Sequence, residues 1–306
     1  MALTPHTPCT TLTEGAAVIS SAMFLLLSLL NVHTPGDGDD CALCAPFSGS
    51  DLGFPDPLWV LPQSPPQGTD VSQALYPAHV CGITDESDTV KRLRLAVHPD
   101  FSFKAGQWVD LFIPGLETVG GFSMCSSPGL MQREGVIELA VNARPAPRWQ
   151  CERAEISSLT LPPQTPPWTS YCWVGGVGIN PLYSILLHTA DLLRTNRANI
   201  STAHICHSAK NTQELLFKSS IVDMHEEFSS TISCEFHVTQ QGGDVEPRLQ
   251  PYTSRGRITA EHLQAHVHPQ STLCYLCGPP LMIQALSSSL KELGLPEERI
   301  HFEKWW

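Results

Sequence analysis

Before Lys91 the chain contains neither lysine nor arginine, and ten acidic residues there carry −10 of the formal net charge of −12. The other 18 basic and 20 acidic residues nearly cancel, so the first part of the chain follows different rules from the rest. The lack of a basic surplus argues against a nucleic-acid partner. It also removes the basic region that a secretory signal requires and the arginines that a mitochondrial presequence requires. No apolar run reaches the ~20 residues that a membrane span requires. The longest, Ala16 to Leu30, has the length of a signal core but follows Glu14. No disulfide framework is legible, because the eleven cysteines are odd in number and irregularly spaced, which suits reduced thiols. Cys41-Ala42-Leu43-Cys44 is a lone C-x-x-C with no second pair. His204, Cys206 and His207 are close in sequence, but strand alternation would split them over two faces. These residues read as structural, and none is assigned to a metal.

What the sequence does have is ample apolar content, 42%, in 306 residues, enough for two domains. Residues 1–78, rich in Pro, Gly, Ser and Thr, read as a low-order acidic extension. From Val80 onward the pattern changes: Val90–Val97 alternates at period two, as a half-buried strand does, Phe101–Pro114 reads as a turn and another strand, and Val136–Asn142 as a further strand. Several such antiparallel strands suggest a small barrel, placed at 79–167. From 168 to 306 strand and helix alternate, which predicts βαβ units on a parallel sheet. That half opens on Gly175-Gly176-Val177-Gly178-Ile179-Asn180-Pro181, a glycine turn between an apolar strand and an amphipathic helix. Glycines let a ligand approach the backbone, and the free N–H groups of the next helix favour phosphate. A second strand-to-helix turn follows at Cys277-Gly278-Pro279-Pro280-Leu281-Met282. On a parallel sheet both turns lie outside the carboxyl ends of the strands, where ligands bind.

This pair of motifs, G-G-x-G-I-x-P followed by C-G-P-P-x-M, resembles the pyridine-nucleotide domain of the ferredoxin–NADP reductase superfamily. Phe103-Lys104-Ala105-Gly106-Gln107-Trp108-Val109-Asp110 resembles a recurrent strand pair of the same superfamily. The resemblance implies a Greek-key, flavin-binding β-barrel, incomplete here, followed by a three-layer α/β nucleotide-binding domain with a parallel sheet. It implies an NAD(P)H-dependent flavin oxidoreductase that passes hydride from nicotinamide to FAD and electrons on to an unidentified acceptor. Gly120-Gly121-Phe122-Ser123-Met124-Cys125-Ser126 occupies the place of the flavin motif R-x-Y-S-x-x-S. Phe122 would stack on the isoalloxazine, Ser123 would face its N5 edge, and Met124 and Ser126 would follow along the cofactor. Gly120 replaces the arginine that pairs with the pyrophosphate, a strong charge-assisted contact, so weaker FAD retention is expected.

The same resemblance puts Cys277 near nicotinamide C4, makes Glu303 an acidic partner near the chain end, and uses Trp305 and Trp306 with Phe302 to shield the flavin. Lys210 follows the second nucleotide-domain strand, where adenosine-ribose contacts are made. No arginine cluster for a 2′-phosphate is evident, which favours NAD over NADP. The resemblance implies a mitochondrial location, which the Lys/Arg-free N-terminus does not support; otherwise the reading is cytoplasmic.

Arg144 to Ser170 departs from the superfamily. Its prolines cannot donate to a ladder, so it cannot supply the central strands expected there. A frame disturbance, a splice variant or a gene-model error would account for it, and the sequenced transcript decides. Gly120 and this segment support a rival reading, a catalytically silent nucleotide-binding protein with a degraded flavin site. A third reading, an interaction protein acting through the acidic extension, rests on composition alone.

Overall fold

The computed structural model describes residues 58–63, 75–112, 121–142, 170–175, 178–197 and 202–304. Gly120, Gly176, Val177, Trp305, Trp306, Cys41, Cys44, the apolar run at 16–30 and nearly all of the proline-rich segment lie outside them.

The first sheet is antiparallel. Its strands are β1 (Leu58–Pro62), β2 (Tyr76–Ser87), β3 (Val90–Val97), β4 (Trp108–Phe112), β5 (Gly121–Ser123) and β6 (Val136–Asn142), in the order β5-β4-β1-β2-β3-β6. Alternation sends Leu58, Val60, Leu93, Leu95, Val109, Leu111, Ile137 and Leu139 into one core. On the other face of β3, Arg92 and Arg94 reach Glu138 on β6 at 3.4 and 3.3 Å. β1 lies within the stretch read as extension, yet it is an inner strand between β4 and β2.

The expected barrel is corrected: among the described residues neither sheet closes. β5 and β6 remain edges, bridged only locally. After β5, the Cys125 N–H donates to Glu138 O at 2.9 Å, and the Glu138 N–H donates to Ser126 Oγ at 3.0 Å. Then Pro128, which has no N–H for a ladder, opens helix α1 (Pro128–Glu134). Ser127 caps that helix by accepting from the Leu130 N–H at 3.1 Å. A serine cap followed by proline at the first helical position is a helix start, and it ends the strand before a continuous ladder can form.

The second sheet is wholly parallel, in the order β10-β9-β8-β7-β11-β12. Its strands are β7 (Ser170–Gly175), β8 (Ala203–Ala209), β9 (Ile232–Val238), β10 (Thr253–Arg255), β11 (Thr272–Gly278) and β12 (Ile300–Lys304). Helices α2 (Asn180–Arg194) and α3 (Lys218–Glu227) pack with Ile205, Phe236 and Tyr275 on one face. Helices α4 (Ala260–Gln264) and α5 (Pro280–Glu292) pack with Cys206, Cys274 and Leu276 on the other. The three layers and the parallel sheet match the sequence reading.

α2 joins the two sheets. Its buried Ser184 accepts from the Gly106 N–H at 3.3 Å and donates to Ser126 O at 2.6 Å. Asn180 Nδ2 donates to Ala140 O at 2.8 Å, and Ser127 Oγ donates to Asp191 Oδ2 at 2.6 Å. Ala105 and Cys125, from the first sheet's segment, belong to the same buried cluster as Ile179, Leu182 and Leu186.

Candidate active site

The strand order reverses at β7: β8, β9 and β10 extend to one side, β11 and β12 to the other. Such a reversal leaves a crevice at the carboxyl ends of the strands, where ligands bind in open α/β sheets. Three residues stand side by side there. Gly175 at the end of β7 is opposite Cys277 on β11, and Cys277 is opposite Glu303 on β12. Alternation along β11 turns Leu273, Tyr275 and Cys277 toward the α2 and α3 layer, which is also the layer joined to the first sheet. Cys277 is fully buried.

The first sheet completes the row. Ser123, the last residue of β5, donates from Oγ to Glu303 Oε1 at 2.7 Å. Both residues are buried, Glu303 completely. A buried carboxylate needs donors to offset its desolvation, and a hydroxyl at this distance supplies a charge-assisted bond. Phe122, one residue earlier, is half-buried and packs on the first core.

Two strand-to-helix turns flank this row, the first described only from Gly178 onward. Gly278 has φ 150°, a region that favours glycine. It leads through Pro279 and Pro280 into α5. α2 begins after Gly178 and Ile179 with no side-chain cap, so its first N–H groups lack the partner that a cap would give them. Two other named residues turn inward. Met124 is wholly buried in the first core and its N–H donates to Gln107 O at 3.1 Å. Ser126 is wholly buried, its hydroxyl and carbonyl engaged by Glu138 and Ser184.

A cavity of ≈ 300 Å³ opens beyond the ends of β8 and β9, lined by Ser208, Thr239, Arg257, Ile258, Met282 and Leu286 among others. Of these the sequence reading named only Met282. Arg257 is the exposed cation of the wall. Its neighbour Arg255 is engaged by Gln241 O and Gly243 O at 2.9 and 3.0 Å. The signal was Arg255-Gly256-Arg257, a basic pair on a glycine hinge just before a helix cap, and it falls outside both glycine motifs. Lys210 does not line the cavity.

The chain is 57% identical over 249 residues to Oxidoreductase NAD-binding domain-containing protein 1 of Danio rerio, spanning 76% of this chain and 92% of that protein. It belongs to that family. The human protein of the same name is 49% identical over 75% of this chain and 79% of its own length. Residues 174–288 match the family model of the oxidoreductase NAD-binding domain, which spans both glycine turns and the cavity. Among solved structures, a ferredoxin NADP+ reductase from Neisseria gonorrhoeae with bound FAD and NADP aligns with a TM-score of 0.57 at 17% identity. That alignment covers 74% of this chain and 97% of the reductase. A ferredoxin–NADP+ reductase from Plasmodium falciparum aligns with a TM-score of 0.56 at 13% identity, over 78% and 98%. The fold is therefore of the ferredoxin-reductase type, and the chain is an oxidoreductase with an NAD-binding domain. Among the described residues no helix is long and apolar enough to cross a membrane.

Proposed function

We propose that the row Gly175–Cys277–Glu303–Ser123 is the place where an NAD(P)H-dependent reductase brings nicotinamide and flavin together. The observation that carries this reading is the Ser123–Glu303 bond, which links the two sheets at the carboxyl ends of β7, β11 and β12. When bound, the nicotinamide supplies hydride and FAD accepts it, so the protein's work is alignment and exclusion of water. The uncapped start of α2 holds phosphate with its N–H groups, and Gly178, just before it, has no Cβ to block the approach. Cys277 presents a small, polarizable, uncharged wall to the ring. Its burial keeps water out. Ser123 stands at the flavin edge, and Glu303 fixes the direction of its hydroxyl. Phe122 supplies an aromatic face.

NAD is the nucleotide this reading favours, with Arg257 contacting the adenosine end across the cavity. FAD is held by the first sheet without the arginine that Gly120 replaces, so it is exchangeable. The open edge between β5 and β6 favours the rival reading, nucleotide binding without turnover. An anaerobic absorbance spectrum before and after NADH decides. A flavin band, present on purification or after FAD is added, that bleaches with NADH is the expected result. Folded protein that binds NADH but shows no bleaching flavin even after FAD is added would overturn the reductase reading and leave the silent one.

A further inference from the structure

On the α4 face of the parallel sheet, away from the row just described, lies a compact set of nitrogen, sulfur and oxygen donors. His204 and Cys206 are two apart on β8 and share that face, while Ala203 and Ile205 face α2 and α3. Cys206 is opposite Glu235 on β9, and His237 follows two residues on. His262 and His266, a helical turn apart, approach from α4 and its end. One donor atom from each of His204, Cys206 and Glu235 lies within 4.8 Å of the other two, and the same holds for Glu235, His237 and His262. His204 and His266 stack with ring centroids 3.3 Å apart.

The first triplet is oriented as a ligand set. His204 Nδ1 is 2.8 Å from Ser233 Oγ, which leaves Nε2 pointing at Cys206 Sγ, 3.1 Å away. A ring nitrogen fixed by a neighbour so that the other can coordinate is the usual outer support of a metal-bound histidine. Glu235 is held in turn, with Ser254 Oγ donating to its Oε1 at 3.2 Å. His237 Nε2 lies 3.2 Å from the same oxygen, outside hydrogen-bonding geometry. His237 is completely buried, and its Nδ1 has no hydrogen-bond partner. A buried polar group left so calls for an ion or water.

We propose that His204, Cys206 and Glu235 bind one divalent metal ion of the zinc class, with His237 and His262 close beside Glu235. Imidazole, thiolate and carboxylate together suit zinc. Bonds of about 2.0–2.3 Å to a common ion put ligand atoms about 3–4 Å apart, and the donor atoms here lie within 4.8 Å of one another, so small side-chain adjustments would seat the ion. Thiolate and carboxylate balance the two positive charges, so the ion enters a buried place with no net charge left over. Binding releases the Cys206 thiol proton to solvent. The ion lies on the same strand faces as Ser208 and Thr239, further from the strand ends.

The test is to titrate the full chain, stripped with a chelator, with cobalt(II) and then zinc(II). One equivalent of cobalt should produce a near-ultraviolet thiolate-to-metal charge-transfer band, and zinc should abolish it. Cys206→Ser should remove the band, while the double variant Cys41→Ser, Cys44→Ser should keep it. Glu235→Gln, a near-isosteric change at a half-exposed side chain, should weaken zinc more than about tenfold, since losing even an outer partner costs 10–100-fold. It keeps the test decisive if Cys206→Ser does not fold. Absence of the band in the wild type, its survival in Cys206→Ser, or unchanged zinc affinity in Glu235→Gln would overturn the proposal.

Discussion

Ser123 donates a hydrogen bond from its hydroxyl to a carboxyl group that has no exposed surface. Replacing it with alanine removes that donor from a buried charged group, a loss of about 1–3 kcal/mol. Denaturant unfolding should show the loss, with the folded spectrum unchanged. Under the reductase reading, flavin reduction by NADH should also slow by roughly 10–100-fold, because small misplacements at the reacting centre cost that much. Stopped-flow mixing separates the two effects, and a stability loss with an unchanged reduction rate would make Ser123 purely structural. Arg257→Ala should weaken NADH binding about tenfold or more through loss of a charge-assisted contact. Calorimetric titration against NADH and NADPH shows which nucleotide the arginine serves. Ser123, Cys277 and Glu303 were legible because they stand in or beside short motifs. Arg257, Ser208 and Thr239 were not, since they meet only when β8, β9 and the approach to α4 converge.

Secondary-structure elements were legible where one periodicity held along the whole segment. β11 is buried at every position, and its unbroken apolar run announced a central parallel strand. α4 opens on Thr259, whose capping box with His262 is formed. β1 was not visible: five residues between prolines and acids carry too little pattern, and their inward face exists only because β2 and β4 flank them. The barrel was misread for a related reason. Antiparallel strands announce a sheet, but closure depends on what the two edges do, and Ser127-Pro128 turns one edge into a helix. His204 and Cys206 were set aside because alternation separates neighbours. It also unites residues two apart, and the partners that matter came from β9 and α4. Ser184 binds both Gly106 and Ser126 from within α2, so Ser184→Ala should cost about 1–3 kcal/mol. Limited proteolysis should then cut more readily between the sheets than in wild type.

For the whole molecule, acid is the condition to examine. His188 on α2 and His301 on β12 both have pKa values lowered from 6.5, chiefly by burial. His301 is stacked on Tyr275 with ring centroids 5.2 Å apart. For such groups the unfolded chain takes up protons first as pH falls through about 6.5. Stability is therefore intact above that value and declines below it, until the folded-state pKa is passed. Unfolding midpoints at pH 7.5, 6.5 and 5.5 (about those values) should fall in that order. His301→Gln should flatten the decline, and an unaltered slope would remove His301 from the account.

The bond between Ser123 and Glu303 closes a separation of 180 residues. Contacts that far apart form late, because loop-closure entropy must be met by nearer pairings first. Under the reductase reading, a chain whose strand β12 has not yet docked on β11 would carry both glycine turns yet lack the carboxyl group of Glu303 beside Ser123. Under the reductase reading, turnover would then report the docking of β12. On refolding, turnover should return only after far-ultraviolet ellipticity has recovered, and the interval between them is the docking time of β12.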